Sequence, residues 1–166
     1  MVKNIKEATT KKVRFIIIGD GELRDELENY CNQLEIDFST EKNATNALLT
    51  FTSWITDIDV ALAGLDIVAL TSKNEGTPVS LIEAQAAGKP IVSVNVGGIE
   101  NIVIPNETAL LSNINDEQLF TENMLSLIED DNKRIAFSQK GTHVFKSFHY
   151  DRLVCDMEKL YCQLLQ

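Results

Sequence analysis

Asp66-Ile-Val-Ala-Leu-Thr-Ser72, Pro78-Val-Ser-Leu-Ile-Glu-Ala-Gln-Ala-Ala87 and Ile91-Val-Ser-Val-Asn-Val96 follow one another in mid-chain. The first is a short apolar run, as a buried strand requires. The second opens on Pro78 and is closed by Gly88, which brackets a helix. Lys89-Pro90 leads into the third run, a strand that Gly97-Gly98 breaks. Strand, helix, strand is the repeating unit of a parallel sheet wound on both faces.

The pattern extends in both directions. Val13 to Gly19 reads as a buried strand. Gly21 to about Leu34 reads as an amphipathic helix with Leu23, Leu27, Tyr30, Cys31 and Leu34 on one face. Residues 37–46 read as a polar loop, Leu48 to Ser53 as a strand, and Asp57 to Gly64 as a short helix. Beyond Gly98 a short helix is expected over Ile99 to Val103, and a last strand over Thr108 to Leu111. Asp116 caps a helix to about Asp130, and further helices span Asn132 to Phe148 and Tyr150 to Leu164. No internal repeat or low-complexity linker divides the chain, so the expectation is a single Rossmann-like domain over residues 1–166.

Composition narrows the function. Hydrophobic residues make up 44% of the chain, enough for an ordinary core. The formal net charge of −10 disfavours nucleic acid as a partner, because phosphate backbones attract basic surfaces. It does not exclude a small anion, which local backbone N–H groups hold whatever the overall charge. No apolar run approaches the ~20 residues of a membrane span. Lys3, Lys6 and Glu7 interrupt any secretory pattern. Cys31, Cys155 and Cys162 lack metal-ligand spacing and read as reduced, packed thiols of a cytosolic protein.

In doubly wound sheets a ligand sits beyond the carboxyl ends of the strands. Gly19-Asp20-Gly21, the stretch from Ser72 to Glu83, and Gly97-Gly98 all fall at such ends. A ligand edge gathering Gly19, Ser72, Glu75 and Gly97 is therefore expected. In the stretch Glu75-Gly-Thr-Pro-Val-Ser-Leu-Ile-Glu83, Thr77 suits the N-cap and Pro78 the first helical position. The amides of Val79 and Ser80 then lie in the first turn, a ready anion site. Gly76 allows close approach of a ligand. Glu83 stands about 7.5 Å along the axis from Pro78 and leans back toward that end. Two carboxylates thus bracket a cluster of amides: carboxylates suit sugar hydroxyls and amides suit a diphosphate. A capped helix with one solvated Glu and one partly buried Glu is the alternative. Ala84, Ala86, Ala87 and Gly88 also fit simple helix–sheet packing.

The same residues resemble the Glu-x7-Glu motif of retaining glycosyltransferases of the family 4 kind, which have two facing Rossmann-like domains (the GT-B fold). Phe15-Ile-Ile-Ile-Gly-Asp-Gly-Glu-Leu23 resembles the family's strand and glycine loop. Phe51-Thr-Ser-Trp-Ile55 is similar to its Phe-x-Gly-x-Val segment, with Ser53 where glycine is usual. Asp66 to Ser72, Glu75 to Val92 and Val96-Gly-Gly-Ile-Glu100 follow in the family's order, and Phe148 to Leu164 resembles its closing helix. The likeness implies an α/β, Rossmann-like, C-terminal donor-binding half. It implies that Glu75 meets the transferred sugar near the reacting carbon and that Glu83 holds the ribose hydroxyls. It further implies that Gly76, Thr77, Pro78, Val79 and Ser80 hold sugar and diphosphate, and that backbone near Trp54 and Ile55 meets the nucleobase. Trp54 either stacks on the base or is a core residue at a strand end. Gly97-Gly98 either borders the cleft or forms a simple turn. His143 and His149 lie on the C-terminal helices and read as structural. No cofactor and no metal are implied; the nucleoside diphosphate sugar is the substrate.

One departure stands out. The family's Arg and Lys, which neutralise the leaving diphosphate, precede the first helix of this domain, and Lys3 stands close to where that helix ends. Lys3 is not given that role. The chain is expected to be a fragment lacking the N-terminal acceptor domain, and not to complete transfer alone. The implied reaction is retaining transfer of a hexose-type sugar to a glycan acceptor in surface polysaccharide synthesis, in the cytoplasm or at the inner membrane face. Several rivals were weighed. A dinucleotide-binding oxidoreductase lacks its third glycine, since position 24 is Arg. A sugar-nucleotide epimerase or a phosphorylase keeps the fold but not the order of motifs. A non-catalytic nucleotide-sugar-binding or regulatory module is opposed by the retained Glu75 and Glu83.

Overall fold

The computed structural model describes residues 1–41 and 46–165. The chain forms two compact units, residues 1–61 and 62–166. Both are built on parallel sheets with helices on both faces, the expected α/β, Rossmann-like architecture.

The first unit opens with α1 (Val2–Ala8), followed by β1 (Phe15–Ile17), α2 (Arg24–Gln33), β2 (Phe38–Ser39) and β3 (Leu49–Phe51). The strand order is β1-β3-β2, all parallel, with Phe15 opposite Leu49 and Phe38 opposite the same residue on the other side. Its core is Cys31, Leu49 and Phe51, with Phe15, Ile36 and Phe38 packed around them. Phe38 meets Phe51 edge-on at 5.7 Å between centroids. That contact explains β2, which falls where a polar loop is expected. Residues 42–45 of that loop lie outside the described residues.

Two further expectations are corrected in this unit. The strand expected over 13–19 is shorter and not fully buried, since Ile16 is 47% exposed. Among the described residues of this unit, β1 is paired on one side, with β3. On α2, Cys31 is buried, whereas Leu23, Leu27 and Tyr30 are exposed. Periodicity marks an apolar stripe but does not say what covers it.

Helix α3 (Ile58–Ala63) spans the junction of the units. The second unit continues with β4 (Val68–Leu70), α4 (Val79–Ala86), β5 (Ile91–Val94), a 3₁₀ turn at Ile99–Asn101 and β6 (Ala109–Ser112). Helices α5 (Glu117–Glu129) and α6 (Asp131–Val144), a 3₁₀ turn at Phe145–Phe148 and α7 (Tyr150–Leu164) complete it. The sheet runs β4-β5-β6, all parallel. Leu81 and Ala84 of α4 pack on Ile91 and Ala109, together with Ile99, Ile102 and Val103.

The caps explain the element ends. Gly88 closes α4 at φ +64, where Gly88 N–H donates to Gln85 O (3.0 Å) and Lys89 N–H to Ala84 O (2.8 Å). This is the paired C-terminal motif that needs a left-handed residue. Asp116 accepts from Leu119 N–H (3.0 Å) and Asp130 from Lys133 N–H (2.9 Å). Helix α6 runs unbroken through Gly141, which is buried against Gln85 of α4; a Cβ there would find ordinary contact at 3.6 Å. Helix α7 forms over its expected span, but Leu153, Met157, Leu160, Tyr161 and Leu164 are exposed. Cys155 and Cys162 are also exposed, so the packed-thiol reading holds for Cys31 and is corrected for these two. Among the described residues no helix is long and apolar enough to cross a membrane.

Candidate functional site

In the second unit, parallel pairing of β4 with β5 puts Ser72, after β4, and Gly97-Gly98, after β5, at the same sheet edge. The loop from Lys73 to Thr77 leaves that edge and enters α4. Its backbone is joined to the glycine pair: Gly98 N–H donates to Gly76 O at 3.1 Å. Gly97 has φ +57, and a Cβ built on it would lie 1.7 Å from the Glu75 carbonyl oxygen. A Cβ on Gly98 would lie 2.3 Å from Gly76 O. The two readings of Gly97-Gly98 therefore merge, since the pair is a turn and its bare backbone is what seats Glu75 and Gly76. A second tie comes from Gln85, fully buried on α4, whose Nε2 donates to Ile102 O at 3.0 Å. The segment after β5 is thus fastened to both the start and the middle of α4.

The start of α4 differs from expectation in one respect. Thr77 does not cap the helix. Pro78 occupies the N-cap position at φ −68, ψ 103, with no side-chain capping bond, and Leu81 N–H donates back to Pro78 O at 3.1 Å. Val79 and Ser80 are then the first two helical residues, and their amides have no carbonyl one turn earlier within the helix. Among the described residues no side chain takes the place of a cap, so these donors lie at the positive end of the helix dipole. Gly76 has no heavy atom within 4 Å of where a Cβ would sit. Open space thus lies against backbone at the mouth of the amide cluster. Glu75 and Glu83 are both half-buried, and among the described residues neither carboxylate has a hydrogen-bond or ion-pair partner. A carboxylate is rarely fully buried unless it is paired, and these two keep part of their surface exposed. Two unpartnered ones flanking open amides form a polar surface suited to a ligand rich in hydroxyls and phosphate.

In the first unit, Gly19 and Gly21 follow β1, and Ser53, Trp54 and Ile55 follow β3 at the same end of the parallel pair. Gly19, at φ +124, donates its N–H to Ser53 O (3.0 Å). Trp54 is 72% exposed, which removes the core reading of this side chain. Sequence reasoning did not pair Asp20 with Ser53. Yet the Ser53 hydroxyl donates to the Asp20 carboxylate, and Asp20 also accepts from Gly21 N–H (2.9 Å) and Arg24 Nη1 (3.2 Å). These partners, the Ser53 hydroxyl foremost, hold the Asp20 carboxyl below its ordinary value. The one hint in the sequence is a serine where the resembled segment has glycine. His143 sits in the last turn of α6, and His149 is the N-cap of α7, accepting from Asp151 N–H (3.4 Å).

Residues 1–144 match the family model described as glycosyl transferases group 1. The chain belongs to that family. This group 1 glycosyltransferase chain is 26% identical over 150 residues to an uncharacterized glycosyltransferase of Methanocaldococcus jannaschii, covering 90% of this chain and 40% of that protein. It is 28% identical over 152 residues to the Escherichia coli UDP-Gal:alpha-D-GlcNAc-diphosphoundecaprenol alpha-1,3-galactosyltransferase, covering 91% of this chain and 37% of the relative. The chain thus spans about two fifths of the length of these curated relatives. Among solved structures, it is similar in fold to Anabaena HepE in complex with UDP and glucose. The TM-score is 0.78 at 21% identity, over 99% of this chain and 44% of that one.

Proposed function

We propose that this group 1 glycosyltransferase chain binds the nucleoside diphosphate sugar for retaining transfer of a hexose-type sugar, in the manner of family 4 enzymes. The observation that carries the reading is the start of α4, which has no side-chain capping bond and whose Val79 and Ser80 amides lie in sequence between Glu75 and Glu83, two carboxylates without a partner among the described residues. In this reading Glu83 accepts hydrogen bonds from the ribose hydroxyls, and Glu75 holds the transferred sugar near its reacting carbon. The backbone of Gly76 to Ser80 holds sugar and diphosphate, with Ser72, Gly97 and Gly98 shaping the backbone around them. Charge develops on the diphosphate as the glycosidic bond breaks, and preorganised N–H donors aimed there stabilise it. In the first unit, the backbone near Trp54 and Ile55 is assigned to the nucleobase, and Gly19 and Gly21 are assigned to donor binding.

The proposed acceptor is a glycan, lipid-linked at the inner face of the membrane. The diphosphoundecaprenol-linked sugar named as substrate of the Escherichia coli relative supports it. Surface polysaccharide synthesis in the cytoplasm, with peripheral membrane contact through the rest of a longer protein, fits that acceptor. The reaction is proposed to use no divalent metal.

The experiment is a calorimetric or NMR titration of the purified chain with UDP-, GDP- and ADP-sugars and with inorganic pyrophosphate. Binding of one nucleotide class is expected at a dissociation constant on the order of 1 mM, about −4 kcal/mol. Pyrophosphate alone should bind more weakly, since it offers Glu83 no ribose. No nucleotide binding at tens-of-millimolar ligand, or pyrophosphate binding as well as any nucleotide, would overturn the reading.

A further inference from the structure

Ser53 has φ +59, a left-handed conformation that glycine adopts freely and that other residues adopt at a cost. A serine placed there can offset part of the cost through a bond of its side chain. Its hydroxyl hydrogen-bonds Asp20, which lies 33 positions away on the neighbouring loop. Arg24 donates to Asp20 through Nη1 (3.2 Å) and to Glu28 through Nε (2.8 Å), and its guanidinium lies over the ring of Phe51 at 5.8 Å. Phe51 is the last residue of β3 and is buried. The contacts therefore close a circuit, from Phe51 along the chain to Ser53, across to Asp20, then to Arg24 and back over Phe51. Two backbone bonds reinforce it: Gly19 N–H to Ser53 O and Thr52 N–H to Ile17 O, each 3.0 Å. The residue next after Ser53 is the exposed Trp54.

We propose that Ser53 is a positioning residue: with Asp20 and Arg24 it latches the loop after β3 to the loop after β1 and so fixes the Trp54 segment in its outward presentation. The link from that segment to the nucleobase rests on the function proposed above; the latch itself does not. A glycine at position 53 would adopt the same backbone more easily yet lose the side-chain tie to Asp20, leaving the backbone bonds and the Thr52 hydroxyl, which donates to Ile17 O (3.2 Å) and to the carbonyl of residue 53 (3.0 Å). Stability and order are thus expected to separate in this loop.

Trp54 is the sole tryptophan of the chain, so its fluorescence reads this segment directly. Time-resolved anisotropy and acrylamide quenching would be compared for wild type, Ser53→Gly, Asp20→Ala and the double variant, alongside thermal melting. Greater Trp54 mobility is expected in both single variants and no further gain in the double, because each breaks the same circuit. Ser53→Gly should melt near wild type, since glycine relieves the left-handed backbone; a merely structural role would lower the melting temperature as mobility rises. Unchanged Trp54 mobility in both single variants, or independent additive changes in the double, would overturn the latch. Titration with UDP, GDP and ADP forms the second arm. The single variants should raise the dissociation constant of the best-binding nucleotide about tenfold, or about 1.4 kcal/mol. If wild type binds none of the three, the functional reading falls while the fluorescence still decides the latch.

Discussion

Replacing Gly97 by alanine should destabilise the second unit severely, whereas the same change at Gly76 should not. At Gly97 the new methyl group would lie 1.7 Å from Glu75 O and 2.8 Å from its carbonyl carbon. The two loops would have to part by more than about 1 Å, and overpacking of that kind costs roughly 1–3 kcal/mol. The left-handed φ of +57 adds about 1–2 kcal/mol for any residue with a Cβ. The sum is about 2–5 kcal/mol, a fall in melting temperature on the order of 10 °C for a chain of this size. Gly98→Ala meets Gly76 O at 2.3 Å but has φ −90, so it carries the steric part alone and should fall between. Gly76→Ala points into open space and should lie within about 0.5 kcal/mol of wild type, yet weaken nucleotide-sugar binding by occupying the approach to the amides. Urea denaturation of the three variants, with titration of the best-binding nucleotide-sugar, measures both effects. A Gly97→Ala protein within 1 kcal/mol of wild type, or a Gly76→Ala protein as unstable as it, would refute the assignment of one glycine to packing and the other to ligand approach.

Three further outcomes are expected. Gln85→Ala removes a buried amide and its bond to Ile102 O, so chemical denaturation should show a loss of about 2–4 kcal/mol. The Asp20 carboxyl is held below its ordinary value of 3.8, so its contribution to the loop is present in full above that pH and is lost as pH falls through the lowered value; Trp54 anisotropy should stay flat across neutral and mildly acidic pH and drop only below about 3.8. Because no metal is assigned a role, EDTA should leave nucleotide binding unchanged in the same titration.

How much of this was legible in the sequence follows from what each residue answers to. The β4–α4–β5 unit was readable because short apolar runs, Pro78 and Gly88 are local signals with local causes, and the Gly88 cap formed where glycine predicts it. Asp116 and the span of α7 were readable for the same reason. Strand β2 was not, because two residues paired in register with β3 and anchored by the Phe38–Phe51 contact leave no periodic trace. The exposure of Leu23, Leu27 and Tyr30 on α2, and of the α7 stripe, was likewise invisible: amphipathicity is a property of one helix, and its cover belongs to another element. In the candidate site, Glu75 and Glu83 could be picked out by spacing and resemblance. The seat of Glu75 and Gly76 on Gly97-Gly98 could not, since close approach of two backbones is a tertiary fact. Thr77 misled because a good capping residue need not cap when the following proline sets the helix start one residue later.

The central claim is the division of labour between the two carboxylates, and the most direct measurement is a paired titration of Glu83→Gln and Glu75→Gln. Each variant would be titrated with the best-binding nucleoside diphosphate and with its sugar derivative. A carboxylate accepts from two ribose hydroxyls, while an amide offers one acceptor oxygen. Glu83→Gln should therefore weaken both ligands by about tenfold, the equivalent of about 1.4 kcal/mol. Glu75→Gln should leave the sugar-free nucleotide unchanged and weaken the nucleotide-sugar alone. Equal losses for the two variants on the sugar-free nucleotide would contradict the account.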